Sequence, residues 1–156
     1  MAQNYGKKFE AKLKEDFQKI PGAFIYRLPD QMNGFIGAKN VADFIGYVFP
    51  NLFLLEAKTT SGNTFPISNF TQLEKQKDYD NIPGLRKGVI IWFTEKDRII
   101  YVPMKTIEKM IQDGKKSVNI RLIDEEGYEF INIPSTKKRV FFDSDYSVLL
   151  NLPENW

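Results

Sequence analysis

With 156 residues, 42% of them apolar and 14% aromatic, the chain is long and apolar enough for one domain with a sizeable core, which excludes wholesale disorder. It has no Cys and no His, which excludes disulfides, thiolate zinc sites, Cys nucleophiles, His-based triads and His-bound metals, leaving carboxylates, Lys, Tyr, Ser, Thr or an oxygen-ligated cation for hydrolysis. Lys and Arg number 22 against 20 Asp and Glu, a net charge of +2 with no polybasic arm, so a nucleic-acid partner is permitted but not demanded.

The amino terminus shows no apolar signal segment, and no apolar run approaches the roughly 20 residues of a membrane span. A cytoplasmic protein with no membrane partner is therefore expected. Phe9, Leu13, Phe17 and Ile20 recur at helical spacing and predict a helix over 3–20, with Asn4 as N-cap and Pro21-Gly22 as its stop. A strand is expected over 23–28, then a loop over 29–40, which is rich in turn formers. Segments 41–49 and 52–58 predict a hairpin about Pro50-Asn51. A loop over 59–65 and a helix over 70–79 follow. The run 89–93 (VIIWF) predicts a buried strand, paired with 98–102 through a turn at 95–97. A short amphipathic helix is expected over 105–112, with Gly114 just beyond its C-cap. Strands over 118–123 and 128–133 flank a Glu126-Gly127 turn, and no element is assigned over 137–156. No repeat or linker divides the chain, so residues 1–156 read as a single α/β domain, a mixed sheet flanked by helices.

Three charged residues interrupt the apolar hairpin: Asp43 in VADFIGYVF, and Glu56 and Lys58 in LFLLEAK. With Pro50-Asn51 as a two-residue turn, paired numbers sum to 101, so that Asp43 opposes Lys58 and Glu56 opposes Ile45. Alternation then puts Asp43, Glu56 and Lys58 on one sheet face. Two carboxylates on apolar strands are costly to bury without a purpose. A divalent cation between them would relieve their repulsion and activate a water, while Lys58 could hold that water or steady a phosphorane. On spacing alone, a solvated ion pair at a strand end fits these residues equally well.

Asp43 followed after thirteen residues by Glu56-Ala57-Lys58 is similar to the pattern of the PD-(D/E)XK nuclease superfamily. More narrowly, the chain resembles the RecU-type Holliday junction resolvases in four ordered blocks. These are Asn4-x-Gly6-x-x-Phe9-Glu10, then Asp43-Phe44-x-Gly46, then Leu55-Glu56-Ala57-Lys58-Thr59-Thr60 with Phe65-Pro66-Ile67, and finally Gln72-Leu73-Glu74. The resemblance implies a restriction-endonuclease-like core. It also implies Mg²⁺, with Mn²⁺ as a substitute, held by Asp43, Glu56 and the carbonyl of Ala57. Lys58 would be the catalytic lysine, Glu10 would complete the acidic cluster, and Gln72 would orient water or phosphate. A solvated Glu10 and a polar-face Gln72 are the ordinary alternatives for those two positions. The sequence departs from the family at Ala42, where Thr is usual, and at Thr71, where His is usual. The family's stalk-like insertion is shortened to 29–40 and its basic amino-terminal tail is missing, a compactness that suggests a phage or prophage version.

The implied activity is a Mg²⁺-dependent, structure-selective endodeoxyribonuclease. It would resolve four-way DNA junctions in recombination and repair, as a homodimer, in the cytoplasm of a bacterial cell or phage-infected host. The alternatives are a restriction-like, flap or repair nuclease of the same fold, or a non-catalytic DNA-binding module. Lys7, Lys8, Lys12 and Lys14 on the first helix, with Lys39, Lys75 and Lys77, are expected to meet phosphates, although any one of them also fits a solvated helix face. Phe35 and Ile36 could either wedge into an open branch or anchor their loop to the core.

Overall fold

A computed structural model describes residues 4–29, 40–70, 72–139 and 141–156. The expected wedge loop, Phe35 and Ile36 included, therefore lies outside the described residues, as does Lys39.

The first helix forms as its apolar spacing requires. Helix α1 covers Tyr5–Phe17, and the Asn4 side chain accepts the Lys7 backbone N–H as N-cap. Phe9, Leu13, Phe17 and Ile20 are all buried. Strand β1 (Phe24–Arg27) pairs antiparallel with β2 (Phe44–Val48), which pairs antiparallel with β3 (Asn51–Thr60).

The hairpin turn differs from expectation by one residue. Val48 pairs with Asn51, so the turn is Phe49-Pro50 and paired numbers sum to 99 rather than 101. Asn51 belongs to the strand because it is buried and its side chain accepts Arg86 Nε at 2.9 Å, leaving it no place in an exposed turn. Ile45 consequently faces Leu54 rather than Glu56. Strand β3 also runs two residues past the expected end, since its parallel partner β5 (Leu85–Phe93) offers a ladder as far as Thr60↔Phe93.

Residues expected as a loop hold β4 (Thr64–Pro66), followed by a 3₁₀ turn (Ile67–Asn69) and the short helix α2 (Leu73–Lys77). The helix starts late because Phe70 turns into the core instead of beginning it. Strand β6 (Arg98–Pro103) returns antiparallel to β5, and helix α3 (Met104–Gln112) ends at Asp113 before Gly114, whose φ of 79° suits glycine.

The expected second hairpin does not form. Strand β7 (Ser117–Asn119) pairs with β4, and β8 (Ile131–Asn132) pairs with β6. Ile120, Ile123 and Tyr128 turn inward to pack with α3, which bends the intervening chain off any strand path. Strand β9 (Ser135–Lys137) ends where the unassigned tail begins, and that tail contains β10 (Phe142–Ser144) and a 3₁₀ helix (Tyr146–Asn151).

The main sheet runs β1-β2-β3-β5-β6-β8. On one face, α1 and the carboxy-terminal segment (Phe142, Tyr146, Leu149, Leu152) cover Phe44, Phe53, Leu55, Ile90, Trp92 and Tyr101. On the other, α3 with Phe65, Val118 and Ile123 covers Val89, Ile91, Phe93, Ile100 and Val102. Two glycines permit this stacking. A Cβ at Gly46 would stand 3.0 Å from the Phe17 ring, and one at Gly88 would stand 2.5 Å from the Tyr101 ring. Among the described residues no helix is long and apolar enough to cross a membrane.

Candidate active site

The site arises where two strands part. Strand β2 covers β3 only as far as the pair Phe44↔Leu55. From Glu56 onward, β3 has a ladder partner on the β5 side and none from β2. Asp43 occupies the start of this gap. Its N–H donates to Leu55 O at 3.0 Å and its carbonyl accepts Leu28 N–H at 2.8 Å, so the backbone is held from both sides. Its side chain replaces the missing ladder: Oδ2 accepts the Ala57 N–H at 3.1 Å and Oδ1 accepts Gln72 Nε2 at 3.4 Å.

The corrected register puts Asp43 across from Glu56 rather than Lys58. The shift is by two in the sum, so side-chain parity is unchanged and Asp43, Glu56 and Lys58 still share one face. Their strand neighbours Phe44, Leu55 and Ala57 face α1 instead. The three residues expected to carry the chemistry are thus brought together on the face away from α1.

Glu56 is the outstanding group. It is 0% exposed, and neither carboxylate oxygen has a hydrogen-bond partner. Burial pushes its pKa up to about 8, against the opposing pull of Lys58 and with the help of the Asp43 charge. The Gln72 backbone N–H favours the charged form slightly, but without the geometry of a hydrogen bond. A buried carboxylate with both oxygens orphaned is costly as it stands, and a cation would satisfy it.

The donor set suits a hard divalent ion. It comprises the Glu56 oxygens and the lone pairs left on Asp43, whose Oδ2 already accepts the Ala57 N–H. Among the described residues no three acidic side chains gather as a metal-holding group. Two carboxylates are nevertheless what Mg²⁺ commonly takes from a protein, since it keeps several of its waters.

Glu10 is not part of this group. It lies on α1, which covers the opposite face, and its Oε2 accepts Arg27 Nε at 2.7 Å. Of the expected phosphate contacts, Lys7, Lys8 and Lys14 are exposed on α1, while Lys75 is half-buried and Lys77 exposed on α2. Lys12 has a structural task. Its ammonium donates to Asp16 at 3.1 Å and Asp143 at 2.7 Å, tying α1 to β10. Burial works against its charge, but the Asp143 and Asp16 hydrogen bonds hold its pKa above the usual lysine range.

One residue escaped the sequence reading. Gln76 is fully buried, and its Nε2 donates to the Val41 carbonyl at 3.1 Å, fixing the segment that leads into Asp43. Lys87 Nζ in turn donates to the Gln76 carbonyl at 2.8 Å and pairs with Asp80. The available signal was helical spacing, for Gln76 lies four residues after Gln72 on the same face of α2.

Comparison with known proteins bears on the fold and the family. No curated protein sequence matches the chain. Among solved structures, the chain is similar to Hjc of Archaeoglobus fulgidus, a Holliday junction resolvase from an archaeal hyperthermophile. The likeness has 12% identity and a TM-score of 0.52, over 77% of this chain and 93% of that one. At that identity it supports the fold, which is the restriction-endonuclease-like core expected from sequence. The family model of recombination protein U matches residues 8–140, a span that runs from α1 to β9 and encloses Asp43, Glu56 and Lys58. The chain therefore belongs to the RecU family and is, by that membership, an endonuclease acting on DNA.

Proposed function

We propose that the protein is a Mg²⁺-dependent endonuclease that resolves four-way DNA junctions in recombination, with Asp43 and Glu56 as cation ligands and Lys58 as the catalytic lysine. The observation that carries this reading is the buried Glu56 carboxylate, without hydrogen bonds and across from Asp43.

Bound at Asp43 and Glu56, Mg²⁺ would supply charge neutralisation and a more acidic water. The chain's own residues do the remaining work. Ala57 N–H and Gln72 Nε2 each engage one oxygen of Asp43 and fix the direction of its other lone pairs. Gln76 anchors the backbone just before Asp43. Lys58, half-buried beside Glu56, offers an ammonium to the attacking water or to the phosphate as negative charge accumulates. Of the three charged residues, Asp43 and Lys58 are half-buried and would meet the phosphodiester first, where the β2 ladder along β3 ends.

A junction presents two strands related by a two-fold axis, and a homodimer presents two sites related in the same way. This favours junctions over linear duplex as the substrate and a dimer as the working form. The test is Asp43→Asn, which removes ligand charge and little volume. The variant should shift a labelled four-way junction as wild type does, yet leave it uncut in Mg²⁺. Wild-type rates of cutting by Asp43→Asn would overturn the assignment.

A further inference from the structure

A groove of about 760 Å³ lies at the shared end of β3 and β5, on the α1 side of the sheet and so on the face opposite Asp43, Glu56 and Lys58. Its floor is the end of β3 and β5: Thr59 and Trp92, which are register partners, with Ser61 and Thr94 beyond them. One wall is the start of α1, from Asn4 to Gly6, and the other carries Lys137 and Arg139 at the end of β9. Thr59 directly follows Lys58, so their backbones are adjacent, about 3.3 Å apart along the strand, while their side chains take opposite faces, and groove and site meet around the shared end of β3 and β5.

The groove has more donors than acceptors to match them. Among the described residues the Arg139 guanidinium has no ion pair or hydrogen bond, and the Thr59 and Ser61 hydroxyls have no hydrogen bond. The Trp92 indole N–H is buried and also lacks an acceptor. Of the two carboxylates in the lining, Asp97 accepts Lys137 Nζ at 2.9 Å and is thereby neutralised, and Glu95 is exposed at the rim. The charges of the lining balance, Lys137 and Arg139 against Glu95 and Asp97, and Lys7 and Lys8 follow Gly6 as exposed residues of α1. An unpaired guanidinium beside unmatched hydroxyl donors calls for an acceptor-rich anion.

We propose that this groove is a second DNA-backbone site, which takes a phosphodiester where the DNA passes round the shared end of β3 and β5 from the catalytic face, with Arg139 as its principal contact. The inference rests on the nuclease reading above and adds the path of the DNA. Contact through phosphate makes the groove indifferent to base sequence and sensitive to salt. It gives the end of β9 a function that the first-helix lysines alone do not explain.

The experiment is equilibrium binding of a labelled four-way junction to the full chain in EDTA, by fluorescence anisotropy across a salt series. Arg139→Ala should bind roughly fivefold to tenfold more weakly, with the slope of log K against log salt smaller in magnitude by about one. Arg139→Gln, which keeps most of the side-chain length, should behave alike. Lys109→Ala, an exposed cation on α3, should bind as wild type does, and thermal melts of all variants should coincide. Wild-type affinity in both Arg139 variants, with the wild type itself binding the junction, would overturn the groove and leave the nuclease reading standing. Equal loss in Lys109→Ala would also overturn it, as an effect of bulk charge. A wild type that does not bind the junction would remove the nuclease reading and the groove with it.

Discussion

Replacing Glu56 with Gln should relieve the fold of a charge it accommodates poorly, in a manner that grows with pH. In the metal-free protein the Glu56 pKa is pushed from 4.5 up to about 8, first by burial, with Lys58 opposing and Asp43 adding to the rise. A carboxyl whose pKa is raised on folding contributes stability that is fully present below about 4.5 and lost as pH climbs through about 8. The span from 4.5 to about 8 corresponds to about 5 kcal/mol of lost stability at high pH. Gln in the same place buries an amide without partners, at a cost of about 1–3 kcal/mol that does not vary with pH. The signal is therefore the change in the difference: Glu56→Gln should gain about 3 kcal/mol relative to wild type between pH 5 and pH 8. Urea unfolding in EDTA at both pH values measures it. Millimolar Mg²⁺ should recover stability in wild type at pH 8 and far less in the variant, because a ligand stabilises only the state that binds it. Stability curves for wild type and variant that run parallel from pH 5 to pH 8 would refute the reasoning.

Further outcomes follow from neighbouring contacts. Lys58→Ala should lower the single-turnover cleavage rate by about a hundredfold or more, with junction affinity within a few-fold of wild type; quench-flow and anisotropy separate the two. Gln76→Leu loses the bond to the Val41 carbonyl, so it should slow cleavage by about tenfold through misplacement of Asp43, and Gln76→Glu, which keeps an acceptor but loses the amide donor, should not restore it. Gly88→Ala drives a methyl to 2.5 Å from the Tyr101 ring and should destabilise the protein by about 2 kcal/mol or more, as read in a urea titration.

Much of the sheet could be read from sequence because burial there is periodic. The alternation around Asp43, Glu56 and Lys58 survived an error in the turn, since shifting the sum of paired numbers by two preserves which face each side chain takes. The turn itself was misplaced because Pro50-Asn51 carries good turn chemistry, while the grip of Arg86 on Asn51 is a contact across 35 residues that no local pattern reveals. The missing second hairpin has the same origin. Strands β7 and β8 are recruited by β4 and β6, so their pairing depends on tertiary neighbours. Within the site, Asp43 and Glu56 announce themselves as acids in apolar runs. The place of Glu10 was not legible, for it depends on which face α1 covers and on Arg27 being within reach. Lys12 looked like its neighbours on α1 until Asp143, more than a hundred residues away, was placed beside it.

Strand cleavage of an end-labelled four-way junction, compared with linear duplex and flap DNA at equal concentration, tests the central claim most directly. The account predicts Mg²⁺-dependent, paired incisions in the junction, much slower cutting of the other two substrates, and none of it in EDTA. Equal cutting of all three substrates would contradict the junction assignment, and full activity in EDTA would contradict the site built on Asp43 and Glu56.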